Sequence, residues 1–509
     1  MPLNEILWNQ QSTYPVLTVL QLLPLLSMAL MILFRHSKFI VGLAVVLMLL
    51  ELGVAIDLFL KYQPNKTPLQ LAEHINVFGL FQWRVAVNGI AVLFILLSSL
   101  LTLLLIIYSR IRQLNPPGAF FAVLFTILAS VQNMFVTQNL LIFSVMSALE
   151  LLLIGYLLRH WSTYSMSGPR IRLYFQFMGT GALLLLTATI MLGWNYANQH
   201  NGAWSFDLHE LKNTKVAIEV QTLIFFMMFY GLAIRIPLFP LHGWLPNIAQ
   251  HGTLAITGVF LLGIKTGVFG LLHFLLPLFP DSVVAWQDYI VGFAVVGIFY
   301  AAILALMQTD LRRLLAFAVI SHTSVMVIGL FTLNHQAIQG SVLLAVNLGL
   351  ATILLLFMSG LIVHRTGTAK FSRLGGLFDK VPLIGIAFLI AGLSIIGMPG
   401  TPGFDAAHLM LEASIERFGA LLTIAAAMGN VVAAGFLLWA FQRAFLAPRN
   451  DETQQHIDPV NRKEILLATS MILIILLAGF YSEPWLHLIE NSVKSLDHLF
   501  NPPSFWLGD

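Results

Sequence analysis

Apolar residues run along this chain in long blocks, and polar residues gather between the blocks. The blocks read as spans at about 15–34, 39–60, 87–108, 117–136, 139–158, 174–194, 216–234, 254–278, 287–307, 314–333, 337–363, 383–412, 419–446 and 464–481. Each approaches the ~20 residues that an α-helix needs to cross ~30 Å of hydrocarbon. The pattern predicts an all-α, polytopic membrane protein with about fourteen transmembrane helices. The block at 383–412 is long and interrupted by Gly397, Pro399, Gly400, Pro402 and Gly403. The stretch before the first block has no basic start, and no small-residue cleavage site follows it. The first block therefore reads as a retained helix. The polar stretches near 61–86 and 195–215 have room for a short hairpin or amphipathic segment, and no separate soluble domain is expected. Beyond 481, Trp485, Leu486, Ile489, Val493 and Leu496 recur at near-helical spacing and predict an interfacial tail.

Composition agrees. Of 509 residues, 58% are hydrophobic and 10% charged, against roughly 25% charged in soluble domains. The mean hydropathy is +0.86. Net charge is +3, and the basic residues lie in the short loops, which is a mark of membrane orientation rather than of nucleic-acid binding. With the loops assigned alternately to two sides, Lys and Arg divide 18 against 7, and Lys265 falls inside a span. The richer side is expected to be cytoplasmic, which puts both termini outside a cell inner membrane. Cysteine is absent, so disulfides, Cys-ligated clusters and Cys nucleophiles are excluded. No Walker A, dinucleotide, haem-attachment or H-E-x-x-H motif is found. The expectation is a chain with no catalytic or redox centre and no cofactor of its own.

Charged residues inside apolar spans are costly, by roughly 2.5–3.5 kcal/mol at the bilayer centre, and are functional candidates for that reason. Lys265 is the sharpest, in the small-residue helix Leu261-Leu262-Gly263-Ile264-Lys265-Thr266-Gly267. It suits proton carriage; the plain alternative is a structural helix–helix pair. His322, in Ser321-His322-Thr323-Ser324, suits a relay, or is a hydrogen-bonded core histidine. Glu150 lies within the fifth block, Glu219 near an end of the seventh, and Glu51 and Asp57 both on the second. Two breaks place prolines beside polar residues: Arg235 to Pro246, which includes His242, and Gly397 to Asp405. Interrupted helices in corresponding positions of two halves point to an inverted-repeat transporter core; simple helix termination by proline is the alternative.

Four segments, in order, resemble signatures of the antiporter-like subunits of complex I and the Mrp cation/proton antiporters. They are Arg235 to Pro246, Leu261 to Gly270, Phe317-Ala318-Val319-Ile320-Ser321-His322-Thr323, and Gly397 to Phe404. The pattern is nearest to the subunit M type, with Leu276 to Pro280 adding to it, and covers about residues 80–445. The resemblance implies fourteen helices containing two inverted five-helix repeats, each with a broken helix. Laid on this chain it gives N-terminal helices at 1–116, a first repeat at 117–278, a second at 287–446, and a C-terminal helix and tail at 464–509. It implies proton movement along a polar axis at mid-membrane.

Carried over residue by residue, the resemblance makes Lys265, His322, Glu150, Asp405 and His408 the expected proton relay. Arg235, His242, Asn347 and Glu412 are the expected gating or pairing residues. Arg235 stands where the family has a lysine, and arginine does not deprotonate. Asn347 stands where a second histidine is usual, and Asn88 where an Asp is common. The family's fifth-helix Trp-Glu falls on Ser147 and Ala148 without gaps, and Glu150 lies two residues on, about 200° around a helix. Either the helix is shifted or the pairing is lost. Ala407 takes the usual ionisable place of the twelfth helix, with Asp405, His408 and Glu412 around it. The departures suggest a diverged paralogue. Four functions remain open. One is a proton-translocating subunit of a complex I-like or hydrogenase-like redox assembly. Another is the membrane half of an inorganic-carbon pump with a soluble carbonic-anhydrase-like zinc protein. The others are a Na⁺/H⁺ antiporter, kept open by Glu51 and Asp57, and a purely structural subunit.

Overall fold

Asparagine, proline and glycine punctuate the apolar blocks, and in the computed structural model the helices start and stop at them. The structure describes residues 5–77, 81–112, 116–162, 168–251, 254–448 and 457–501. The chain opens with strand β1 (Glu5–Leu7), helices α1 (Val16–Leu33) and α2 (Ile40–Lys61), and the hairpin β2 (Leu69–Val77) and β3 (Phe81–Val87). Helices α3 (Gly89–Ile111), α4 (Pro117–Val136), α5 (Leu140–Trp161) and α6 (Gly168–Gln199) follow. Next come a short α7 (Leu208–Lys212), α8 (Ile218–Arg235), α9 (Trp244–His251) and α10 (Leu254–Gly270). A wide π-turn at Leu271–Leu275 carries α10 into α11 (Leu276–Leu278). The second half is α12 (Pro280–Leu306), α13 (Leu311–Leu330), α14 (His335–Thr366), α15 (Pro382–Ile396), α16 (Pro402–Phe441), α17 (Arg462–Phe480) and α18 (Glu483–Phe500).

Helix starts follow the capping chemistry of short polar side chains, which satisfy backbone N–H groups that have no partner in the first turn. Asn88 Oδ1 accepts from Ala91 N at 2.8 Å, so the neutral residue that replaces the family's Asp still caps α3. Asn139 caps α5 through Leu141 N and Ile142 N, Asp310 caps α13, and Asn334 caps α14. Asn461 and Glu464 form a capping box at the start of α17, and Glu464 also accepts from Arg365 Nη2 at 2.6 Å.

Twelve helices among the described residues are long and apolar enough to cross a membrane, and two shorter apolar helices accompany them, Leu262–Leu278 and Pro382–Ile396. Part of the difference from the sequence reading has a physical cause. The long block at 383–412 is divided by the turn around Gly397 and Gly400, both at positive φ. Its second part then runs into the next block across Gly419, whose φ of 79° and ψ of 173° interrupt α16. The protein is a polytopic membrane protein. Helices α3, α13 and α14 are buried on nearly every side, whereas α1 and α2 turn Leu22, Leu26, Leu33 and Leu60 outward, as lipid-facing helices do.

The stretch read as a loop with a possible hairpin is one: β2 pairs antiparallel with β3, and β1 adds in parallel. This small sheet, α7 and α18 lie at one end of the bundle. The tail read as interfacial is instead docked on protein. Ser492 Oγ on α18 accepts from Gly89 N at 2.9 Å, and Leu488, Ile489, Val493 and Leu496 are buried. The sheet is fastened to the bundle by Glu73 of β2. Its carboxylate accepts from Leu17 N at 2.7 Å, Thr18 N at 2.9 Å and Thr18 Oγ1 at 2.5 Å. The anion thus sits on the positive end of α1. Burial nonetheless pushes its carboxyl above the usual carboxylate range.

Glu73→Leu orphans buried donors at the start of α1 and is expected to cost about 1–3 kcal/mol. Thermal unfolding of the purified protein in one detergent, followed at a fixed protein concentration, checks this; an unchanged midpoint contradicts it.

Candidate ion-translocation site

Helix α8 ends at Arg235 because Pro237 and Pro240 follow, and proline brings no N–H to continue a helix. The chain restarts at Trp244, whose Nε1 donates to Ile234 O at 3.0 Å, with Leu238 N donating to Ala233 O at 3.1 Å. These bonds hold the broken ends together and fix the Arg235 side chain at the break.

Arg235 reaches α5. Its Nη2 donates to Glu150 Oε2 and its Nη1 to Ser147 Oγ, both in close contact, and Nη1 also lies 3.2 Å from Ser147 O. Thr266 Oγ1 on α10 accepts from Nη2 at 2.9 Å. The Glu150 side chain is fully buried and that of Arg235 is 11% exposed. The pairing left open by the sequence is therefore kept, with arginine in place of lysine. Gly263 on α10 makes the approach possible: a Cβ there would lie 3.2 Å from Glu150 Oε1. Against the pair, between Tyr174, Met178 and Trp244, lies a cavity of about 20 Å³, which has room for one water.

Lys265 leaves α10 toward α14. It is 2% exposed, and its Nζ has no hydrogen-bond partner among the described residues. Gly349 of α14 faces it, where a Cβ would stand 2.8 Å from Nζ and 2.9 Å from Cε. His322 on α13 is fully buried, with Nδ1 3.0 Å from Ala318 O. On α14, Asn347 Nδ2 donates to Ser394 O at 2.9 Å and its Oδ1 accepts from Ser394 Oγ at 2.6 Å. Asn347 thus braces the end of α15 just before the second break. His242 sits in the first break beside the rings of Phe239 and Tyr300, with Nδ1 unpartnered among the described residues.

Three expected residues stand elsewhere. Asp405 is half-exposed on the first turn of α16, and His408 and Glu412 are 70% and 57% exposed, 3.7 Å apart. They point away from the bundle and do not join the buried line of Glu150, Arg235 and Lys265. The reason is rotational: positions 405, 408 and 412 share one helix face, and α16 buries the face carrying Ala406, Met410 and Ala413 instead. Glu51 and Asp57 do not form a joint site either. Glu51 is buried and accepts from Gln132 Nε2 at 2.6 Å, while Asp57 pairs with Lys61 at 2.7 Å and Tyr14 Oη at 2.5 Å. Glu219 lies in the first turn of α8.

The sequence reading missed the roles of Thr266, Gly349 and Ser394. A signal existed for Ser147: it lies three residues before Glu150, hence on the same helix face, and both meet Arg235.

Glu150→Ala leaves Arg235 buried without its carboxylate and is expected to cost about 3–5 kcal/mol, with much of that restored in the Glu150→Leu/Arg235→Met double variant. Thermal unfolding of the wild type, Glu150→Leu, Arg235→Met and their double variant in one detergent measures the coupling; purely additive effects contradict the pair. Gly349→Val drives two methyl groups into the space beside Lys265. Overpacking of about 1–3 kcal/mol is expected, lessened when Lys265→Met is combined with it; the same unfolding assay decides.

Residues 136–433 match the family model described as NADH:quinone oxidoreductase/Mrp antiporter, TM. NADH-quinone oxidoreductase subunit M of Escherichia coli (strain K12) is 27% identical over 429 residues, covering 82% of this chain and 83% of the relative. A chain of respiratory complex I from Thermus thermophilus with bound NADH superposes with a TM-score of 0.85 at 23% identity, covering 95% of this chain and 100% of that one. A chain of the Mrp complex from Dietzia sp. DQ12-45-1b gives 0.81 at 16% identity, covering 96% and 98%. With more than half its length matched by the family model, and with a broken helix, a buried acid–base pair and a membrane-embedded lysine in place, this chain belongs to the NADH:quinone oxidoreductase/Mrp antiporter transmembrane family.

Proposed function

We propose that the chain is the proton-translocating membrane subunit of a multi-subunit energy-coupling complex resembling NADH:quinone oxidoreductase. The observation that carries this is Lys265, buried on α10 without a hydrogen-bond partner among the described residues, one position from the Thr266 that anchors the Glu150–Arg235 pair. An intramembrane lysine held in that way is costly, which makes it a functional candidate.

Lysine holds or releases a proton, whereas arginine is a fixed charge. Arg235 therefore sets the field and Glu150 controls it. While the carboxylate lies on the guanidinium, their charges cancel as seen from Lys265. When Glu150 leaves, toward the small cavity or toward a proton of its own, the uncompensated Arg235 repels the Lys265 ammonium. In a poorly screened interior that repulsion is several times stronger than in water. The proton departs, and closing the pair restores Lys265 for the next one. His242, in the break next to Arg235, and His322, buried on α13, are the titratable groups proposed to hand protons on.

Partners follow from the surface. His408 and Glu412 are exposed on α16 among the exposed apolar residues Phe404 and Ile415. Charged groups facing lipid are disfavoured, which supports a neighbouring membrane subunit against α16. The solved structures of similar fold are of multi-subunit complexes. Relatives named as subunit M support the redox-driven reading over the inorganic-carbon and Na⁺/H⁺ readings. The arginine- and lysine-rich loops are proposed to face the cytoplasm.

Purification of the tagged full chain from its native membrane in mild detergent tests the assignment. Co-purifying subunits that bear flavin, iron–sulfur clusters or quinone are expected; a single large soluble zinc protein in their place contradicts it.

A further inference from the structure

Across α14 from Lys265, Asn347 is bonded twice to Ser394 and does not titrate, while Thr352 offers a buried hydroxyl without a hydrogen-bond partner among the described residues. A second opening lies along α10 itself. A cavity of about 280 Å³ sits on the end of the bundle that carries the hairpin. Arg84, Asp207 and Lys212 line its outer part, and Arg84 is held there by Glu5 at 2.8 Å and Asp207 at 3.5 Å. Phe269 and His273 line its inner part.

His273 is 8% exposed, and its Nε2 has no hydrogen-bond partner among the described residues. Its ring stacks on Phe269 with centroids 4.8 Å apart and planes 17° apart. Lys265, Phe269 and His273 follow one another at steps of four along the same helix, so they form one stripe. Eight residues of helix span roughly 12 Å. Along this stripe Phe269 stands between two basic groups that have a nitrogen without a hydrogen-bond partner among the described residues, one buried and the other lining the cavity. The π-turn at Leu271–Leu275 contains His273, and such turns free backbone geometry where a side chain must be re-aimed. Imidazole passes a proton by accepting on one nitrogen and donating from the other.

We propose that this cavity is the aqueous mouth through which Lys265 exchanges protons with the lysine- and arginine-poor side of the membrane, with His273 as the proton-carrying floor and Phe269 as the apolar plug between them. The inference rests on the proton-translocating reading above. No expected relay residue from the sequence includes His273.

This chain contains no cysteine, so label found on it reports the introduced residue alone. Single-cysteine variants Ser495→Cys at the rim and His273→Cys at the floor are made in the full complex, in vesicles of known orientation. A membrane-impermeant charged thiol reagent is then added to each side in turn. Both cysteines are expected to react from the hairpin side and not from the opposite side. Reaction of Ser495→Cys alone, or of His273→Cys from the opposite face, overturns the proposal, because the cavity is then blind or opens the wrong way. In parallel, His273→Leu is expected to lower redox-driven proton transport at least tenfold with the complex still assembled. Lys265→Ala separates the two levels of failure. If Lys265→Ala stops transport while His273→Leu runs at the wild-type rate, the mouth is wrong and the translocating reading stands. If both variants run at the wild-type rate, the translocating reading fails and the proposal falls with it.

Discussion

A carboxylate and a guanidinium buried together in a membrane protein constrain everything packed around them. Taking either charge out of water costs several kcal/mol, and only the partner with further hydrogen bonds offsets it. Here the Glu150–Arg235 pair draws on three helices: α5 supplies Glu150 and Ser147, α8 supplies Arg235 at its broken end, and α10 supplies Thr266. The break in α8 is part of this arrangement. An unbroken helix would carry its backbone past the site, whereas the proline-rich turn, closed by Trp244 on Ile234, leaves the guanidinium at the helix end facing α5.

Helix α10 links this pair to the rest of the path. One of its faces is cut back to glycine beside Glu150, at Gly263, and another faces a glycine across the interface, where Gly349 of α14 leaves space for Lys265. Two charged sites are thereby set on one helix, with Thr266, which bonds Arg235, next to Lys265 in sequence. Helix α14, buried along nearly all of its length, then braces the second break through Asn347 and Ser394. The two broken helices are fixed in different ways: the first by an ion pair, the second by uncharged bonds between the Asn347 amide and the hydroxyl and carbonyl of Ser394.

Much of this was legible in the sequence. Apolar blocks gave most of the membrane helices, because bilayer thickness fixes their length, but the block at 383–412 ran past the end of α15 at Ile396 and into α16. The hairpin was readable as a possibility from the polar length of its segment, and the central place of Lys265 from the cost of an unused charge. Other features were not. The gapless comparison put Glu150 out of register with its expected place, yet Ser147 and Glu150 share a face and a long arginine reaches both. Rotation of α16 was hidden because the sequence around Asp405, His408 and Glu412 is apolar on both sides, so periodicity does not say which face turns inward. The tail was read as amphipathic, and it is, but its apolar face lies on α3 rather than on lipid. Gly349 could not be recognised as the wall of the Lys265 site, since the contact joins residues far apart in the chain.

The central claim is that Lys265 carries protons under control of the Glu150–Arg235 pair. The most direct measurement is the number of protons translocated per two electrons by the purified complex in sealed liposomes, with wild-type chain and with Lys265→Ala, at matched electron-transfer rates. The account predicts a lower ratio for the variant with the complex intact. An unchanged ratio would contradict it.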